Sequence, residues 1–275
     1  MRGYLNNREK TTMTELWAKK DIPLFDESFG QEPPALEERV IEGAKNCVIV
    51  IPGGGYEWEA WDHEGDAIAK ALNKNGISAF ILRYRFKPYH YPVMKYDINR
   101  AVRVVRSMAG KYGYRPDRIA VLGFSAGGHL ASLGITHFDF GREDGDEIDK
   151  ISCRPDLGVL CYAVLNIGGK FTHEGTSVNL LGGKNDPELA KALSAENSVT
   201  KDTPPCFIWH TAGDPVVPVE NSLTFASALS EKKIPFELHI FPEGPHGIGL
   251  AETEFPHSAQ WFSLLVEYIR HFWGQ

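Results

Sequence analysis

KNCVIVIPGGG (45–55), ISAFILRYR (77–85), RIAVLGF (118–124), LGVLCYAV (157–164), PCFIWHTAG (205–213) and PFELHIFP (235–242) constrain the fold more than any other feature of the chain. Most of these runs lack the polar alternation of a strand with one wet face, and such continuity is expected where helices cover both faces of a sheet. Segments with helical spacing lie between them. In MKYDINRAVRVVRSMAGKYG (94–113), Ile98, Ala101, Val102, Val105, Met108 and Ala109 share one stripe, while Arg100, Arg103 and Arg106 fall off it. DHEGDAIAKALNKNG (62–76) reads as a helix capped by Asp62, with acids in its first turn and an end at Gly76. VENSLTFASALSEKK (219–233) and SAQWFSLLVEYIRHFW (258–273) complete the helical set. Strand and helix alternate from residue 45 onward, which places the chain in the α/β class with a mainly parallel sheet.

At 275 residues the length allows one large α/β domain or two small ones, and no repeat or low-complexity linker divides the chain. The expectation is a single domain over residues 1–275. Its first 44 residues are irregular and are expected to hold an edge hairpin. Residues 137–154 and 165–203 read as loop-rich excursions able to build the walls of a site. A formal charge of -7 without any lysine- or arginine-rich block lacks the electrostatic footprint of a nucleic-acid binder. Cys47, Cys153, Cys161 and Cys206 have no C-x-x-C spacing and read as reduced, structural thiols. The opening MRGYLNNREKTTMTELWAKKD is polar, and no segment reaches 18 uninterrupted apolar residues, so the expectation is a cytoplasmic protein without a membrane partner.

GFSAG (123–127) stands between the strand-like RIAVLGF and AGGHLASLGI, a small-residue helix. A strand-to-helix elbow needs glycines where the backbone is strained and closely packed, and it exposes the Ser125 hydroxyl beside a helix N-terminus. A serine hydroxyl attacks poorly unless a base takes its proton and a third group orients that base. In an α/β-hydrolase those partners follow in the order Ser, acid, His after late strands. Asp214 comes just past PCFIWHTAG and His246 just past PFELHIFP, in that order. His129, His210 and His239, on the elbow helix or inside strands, read as packing or supporting residues. Attack on an ester places negative charge on the former carbonyl oxygen, which calls for rigid N–H donors. Gly53, Gly54 and Gly55 follow a strand as an HGGG-type loop does, and Ala126 follows the nucleophile. Which glycine donates stays open.

PGGGY, YHYP (89–92), PDRIAVLGFSAGGHLAS, HTAGDPVVPVENSL and PFELHIFPEGPHGIGL together resemble the α/β-hydrolase esterases related to acetyl esterases and acetylxylan esterases, near the hormone-sensitive-lipase and bacterial feruloyl-esterase branches. The resemblance runs from about residue 45 to the C-terminus. It implies an eight-stranded, mostly parallel sheet with helices on both faces, no large cap domain, and no metal or organic cofactor. It implies hydrolysis of short acyl esters, often on carbohydrate, so the expected partner is a small-molecule ester such as an acylated sugar. It assigns the triad to Ser125, Asp214 and His246, and the oxyanion donors to Gly54 or Gly55 with Ala126. Pro52 stands where related lipases carry the histidine of HGGG, and Pro245 replaces a glycine before His246.

Tyr56, Trp58 and Trp61 after the glycine loop, and His90 between Tyr89 and Tyr91, are candidates for walls that stack on a sugar. DHEGD (62–66) is explained by helix-start electrostatics rather than by a metal, and EDGDEID (143–149) lacks EF-hand spacing and reads as a solvated loop. Three other functions compete with the esterase. A noncatalytic scaffold of this fold is expected to lack one triad position, a peptidase to carry an extra propeller or cap, and a dienelactone-type hydrolase to use a cysteine nucleophile. The oligomeric state is left open.

Overall fold

Successive residues of the apolar runs project to opposite sides of the sheet, and this splits the core into two layers. A computed structural model gives the architecture of residues 12–252 and 254–274. Strands β1 (Met13–Glu15), β2 (Ala35–Arg39), β3 (Cys47–Ile51), β4 (Ser78–Arg83), β5 (Ile119–Phe124), β6 (Leu157–Cys161), β7 (Cys206–Thr211) and β8 (Phe236–Phe241) form one eight-stranded sheet in the order β1-β2-β4-β3-β5-β6-β7-β8. β1 and β2 run antiparallel at one edge, and every pairing from β4 to β8 is parallel. The expected edge strands are therefore present, with β1 supplied by residues upstream of the IPLF stretch.

Cys47, Ile49 and Ile51 of β3 enter one core layer, against α2 (Val93–Ser107), α4 (Ser125–Thr136) and α7 (Glu220–Glu231). Val48 and Val50 enter the other, against α1 (Ala67–Lys74) and α8 (Gln260–Trp273). α3 is the short Ala109–Tyr112 turn. Burial on both faces is what the continuous apolar runs require. All four cysteines are buried free thiols.

The structure corrects three local expectations. Asp62 does not cap a helix: Trp61–Asp66 is a widened π-helical turn that leads into α1 without a side-chain cap. The excursion 165–203 contains two helices, α5 (Glu174–Leu181) and α6 (Pro187–Leu193). The off-stripe Arg100 and Arg103 are buried, because residues 137–154 fold back over α2 instead of reaching the site. Arg100 donates to Asp146 at 2.7 and 2.6 Å and to the Leu16 carbonyl at 2.8 Å, and Arg103 pairs with Asp139. EDGDEID is a solvated loop, as expected, with Glu143, Asp144, Asp146 and Glu147 exposed, and it also supplies counter-charge: the Arg100 bonds hold the Asp146 carboxyl down to about 2. Among the described residues no helix is long and apolar enough to cross a membrane. Residues 1–11, on which the reading of a leaderless start rests, lie outside the described residues.

Arg85 and Asp97 form a fully buried bidentate pair beneath the N-terminal segment, the closest approach being 2.6 Å. The same guanidinium donates to the Pro23 carbonyl at 2.6 Å. Removing one partner of such a pair strands a charge in the core. Asp97→Ala is expected to lower stability by about 3–5 kcal/mol, read as a lower urea midpoint at unchanged slope. An unchanged midpoint would show that the pair contributes nothing net.

Candidate active site

β5 passes into α4 with no intervening loop, and Ser125 carries the turn at φ 51°, a left-handed value unusual for a residue with a Cβ. The turn closes only because its neighbours are glycines. A Cβ on Gly123 would stand 2.1 Å from the Gly127 carbonyl oxygen, one on Gly127 would stand 2.3 Å from the carbonyl oxygens of Ile51 and Pro52, and one on Gly128 would meet the Ala163 Cβ at 2.4 Å. α4 therefore lies against the end of β3, backbone to backbone. Ser125 keeps only 8% of its surface exposed.

The sheet's C-terminal edge then brings together the three residues expected from their order. Ser125 Oγ is 2.7 Å from His246 Nε2, and His246 Nδ1 is 2.7 Å from Asp214 Oδ2. Asp214 Oδ1 accepts the Val216 and Val217 N–H groups at 2.8 and 2.9 Å, and His210 Nε2 stands 3.3 Å from Oδ2. Burial alone would raise this carboxyl's pKa. The hydrogen bonds from His210, His246 and Val217 outweigh burial and hold it well below the usual carboxylate range. An ionised Asp214 can only accept, so His246 Nδ1 carries the proton and Nε2 is free to accept from Ser125. His210 is thus a supporting residue, its Nδ1 bonded to Ser222 Oγ at 2.8 Å. His129 is a core residue, pushed down to about 4 by burial and tied to Tyr56 and the Leu193 carbonyl.

The glycine loop follows β3 to the same edge. Gly53 N–H donates to Glu64 Oε2 at 2.8 Å, so it is already taken. Gly54 (φ 125°) and Gly55 (φ 67°) line the cleft beside Ser125, and no protein acceptor for their N–H groups occurs among the described residues. Ala126, fully buried, opens α4 with a first-turn N–H. The cleft encloses about 420 Å³. No group of three or more His, Cys, Asp or Glu side chains converges as metal ligands among the described residues.

Of the four aromatic wall candidates only Trp58 lines this cleft, with 55% of its surface exposed. Tyr56 is fully buried, its hydroxyl 2.9 Å from His129 Nδ1. Trp61 packs against the α1 side of the core under the Arg83 guanidinium, 3.9 Å from its ring. His90 faces α5, with Nδ1 2.8 Å from the Asn179 carbonyl. These three therefore do not form the walls. The residues that do were not assigned to the site from the sequence: His173 and Asn179 from the 165–203 excursion, His63 and Glu64 from the π turn, and Val216 beside Asp214. His173 caps α5, its Nδ1 accepting from Thr176 N–H at 3.3 Å and standing 2.8 Å from Thr176 Oγ1, and burial lowers its pKa. The HEGT spacing, a cap residue one position before a glutamate, was the available signal for that helix start.

Gly127→Ala tests the elbow. The added methyl has only carbonyl oxygens to displace, so the variant is expected to lose about 3 kcal/mol or more, measured by denaturant titration. Gly110→Ala, where a Cβ meets nothing within 4 Å, serves as the tolerated control.

The BD-FAE family model matches residues 37–229, a stretch that includes Ser125 and Asp214 and ends before His246. The chain is 42% identical over 216 residues to endo-1,4-beta-xylanase B of Butyrivibrio fibrisolvens, covering 77% of this chain and 34% of that one. It is 32% identical over 243 residues to an acetylxylan esterase of Xylanibacter ruminicola, covering 86% and 48%. The chain thus spans between a third and a half of these relatives' lengths. Among solved structures, an acetyl ester-xyloside bifunctional hydrolase from Caldicellulosiruptor lactoaceticus is 46% identical with a TM-score of 0.91, covering 96% of this chain and 97% of that one. With the family model matching over two thirds of its length and the α/β-hydrolase sheet carrying the elbow, the chain belongs to the BD-FAE family.

Proposed function

We propose that the protein is a serine carboxylesterase that removes short acyl groups, acetyl above all, from carbohydrate alcohols. The observation that carries this reading is the continuous relay from Ser125 Oγ through His246 to Asp214, with both links at 2.7 Å. Ser125 Oγ attacks the acyl carbon as its proton passes to His246 Nε2, and Asp214 stabilises the imidazolium. The oxygen that gains charge turns toward the N–H of Ala126 and of Gly54 or Gly55. Collapse expels the alcohol, which takes the proton from His246. Water then gives a proton to His246 and attacks the acyl-enzyme; the second tetrahedral intermediate collapses, releasing the carboxylic acid and returning the proton to Ser125.

Three features support the substrate half of the proposal. The cleft of about 420 Å³ lies at the small end of ligand sites and suits a short acyl chain. Trp58 offers an exposed aromatic face on which a sugar ring can stack. With Nδ1 of His173 accepting from Thr176, the proton rests on Nε2 and supplies a neutral donor for a sugar hydroxyl. The names of the xylan-acting relatives point the same way.

Ser125→Ala is expected to remove acetyl-ester turnover by about 10⁵-fold, and Asp214→Asn to lower kcat by about 10⁴-fold with KM little changed. Stopped assays with circular dichroism of each variant check both, and a folded Ser125→Ala protein with near wild-type turnover would end the esterase reading. On the acyl side, kcat/KM is expected to fall from acetyl through butyryl and octanoyl to palmitoyl esters of one alcohol. Rising activity toward palmitoyl would refute a small acyl pocket. Equal rates on acetylated xylose oligomers and an acetylated simple alcohol would remove the carbohydrate assignment alone.

A further inference from the structure

Glu64 is a carboxyl with 2% exposure that the steps above leave without a task. Its Oε2 accepts the Gly53 N–H at 2.8 Å and its Oε1 accepts the Tyr162 hydroxyl at 2.8 Å. The Tyr162 oxygen in turn accepts the Gly249 N–H at 3.0 Å, three residues beyond His246, and the Tyr162 ring meets the His246 ring edge-on with centroids 5.0 Å apart. Bond directions follow from the donors present. A backbone N–H can only donate, so the phenol oxygen accepts from Gly249 and its own proton goes to Glu64. Glu64 thus accepts on both oxygens. Burial raises its pKa, and the bonds from Tyr162 and Gly53 work against that rise.

We propose that Glu64 is a positioning residue that, through Tyr162, ties the oxyanion loop to the loop carrying His246, so that charge-receiving donors and proton-accepting base keep one fixed separation. The inference rests on the esterase reading above. Three further observations support it. By occupying Gly53 N–H, Glu64 orients the loop so that the next two peptides face the cleft. Gly53 is wedged between the two functions, since a Cβ there would stand 2.8 Å from Glu64 Oε2 and 2.9 Å from the Ser125 Cβ. Finally, both supports of the strap use unusual backbone: Glu64 rides the widened turn Trp61–Asp66, and Tyr162 holds φ 35°. Such departures persist where surrounding structure over-determines them, and they concentrate at functional sites.

Glu64→Gln, Tyr162→Phe and the double variant test the tie. The amide nitrogen of Gln cannot accept, so one of the two donors loses its partner, while Tyr162→Phe deletes one hydroxyl and keeps the ring. For p-nitrophenyl acetate each single variant is expected to lower kcat by about 10–100-fold with KM nearly constant. Inhibition by phenylboronic acid, whose tetrahedral adduct on Ser125 needs both sides of the site, is expected to weaken by the same factor as kcat/KM. Because the two residues form one chain of contacts, the double variant is expected to lose no more than the worse single variant. Wild-type kcat and boronate affinity in either folded variant, losses confined to KM, or fully additive losses would each overturn the role. If Glu64→Gln does not fold, Tyr162→Phe carries the same expectation alone. A wild-type protein inert toward every ester fails the esterase reading itself and takes the positioning role with it, whereas an active wild type with unaffected variants fails only this inference.

Discussion

The contact on which the rest of the site depends is that between Gly127 and the carbonyls of Ile51 and Pro52. It lets α4 sit against the end of β3 at a distance no side chain permits. Two consequences follow from one close approach. The helix N-terminus arrives beside Ser125, and the glycine loop leaving β3 arrives on the other side of the same residue. Nucleophile and oxyanion donors are neighbours because two backbones touch, and the parallel order of β3 and β5 brings their C-terminal ends to one edge. The remaining two groups come from the ends of β7 and β8, beyond β6 in the same parallel order, so a single sheet edge collects three loops and the elbow, which are far apart in the chain.

Much of this is legible in the amino-acid order alone. Continuous apolar runs announce strands buried on both faces, and glycine around a serine announces the elbow. The order Ser125, Asp214, His246 then follows from the strands that precede each residue. What the sequence does not carry is rotation about a loop. Tyr56, Trp58 and Trp61 lie within six positions, yet one is in the core, one faces the cleft and one lies under an arginine. Periodicity orders residues on regular helices and strands and is silent in a loop or at the first residue of a widened turn, so adjacency in sequence gave no side for any of the three.

The arginines of α2 failed for a different reason. Arg100 and Arg103 lie off the apolar stripe as expected, but the acids of 139–149 fold over them. Charge complementarity between EDGDEID and RAVR was visible in the sequence, though nothing local tied the two segments together. DHEGD was missed through too local a reading as well. Acids at a helix start usually serve the helix, whereas here the turn widens and sends Glu64 inward to Gly53 and Tyr162.

The two guanidiniums that receive the N-terminal segment bear on the order in which the molecule can assemble. The Leu16 carbonyl is held by Arg100, 84 residues later, and the Pro23 carbonyl by Arg85, 62 residues later. On a ribosome, residues 16–23 leave the exit tunnel long before either partner exists. They must wait without these partners until β4 and α2 are in place. The antiparallel edge of the sheet is thus made early in synthesis and docked late, and during that interval the edge of β2 that β4 will later cover stays open to pairing with other chains.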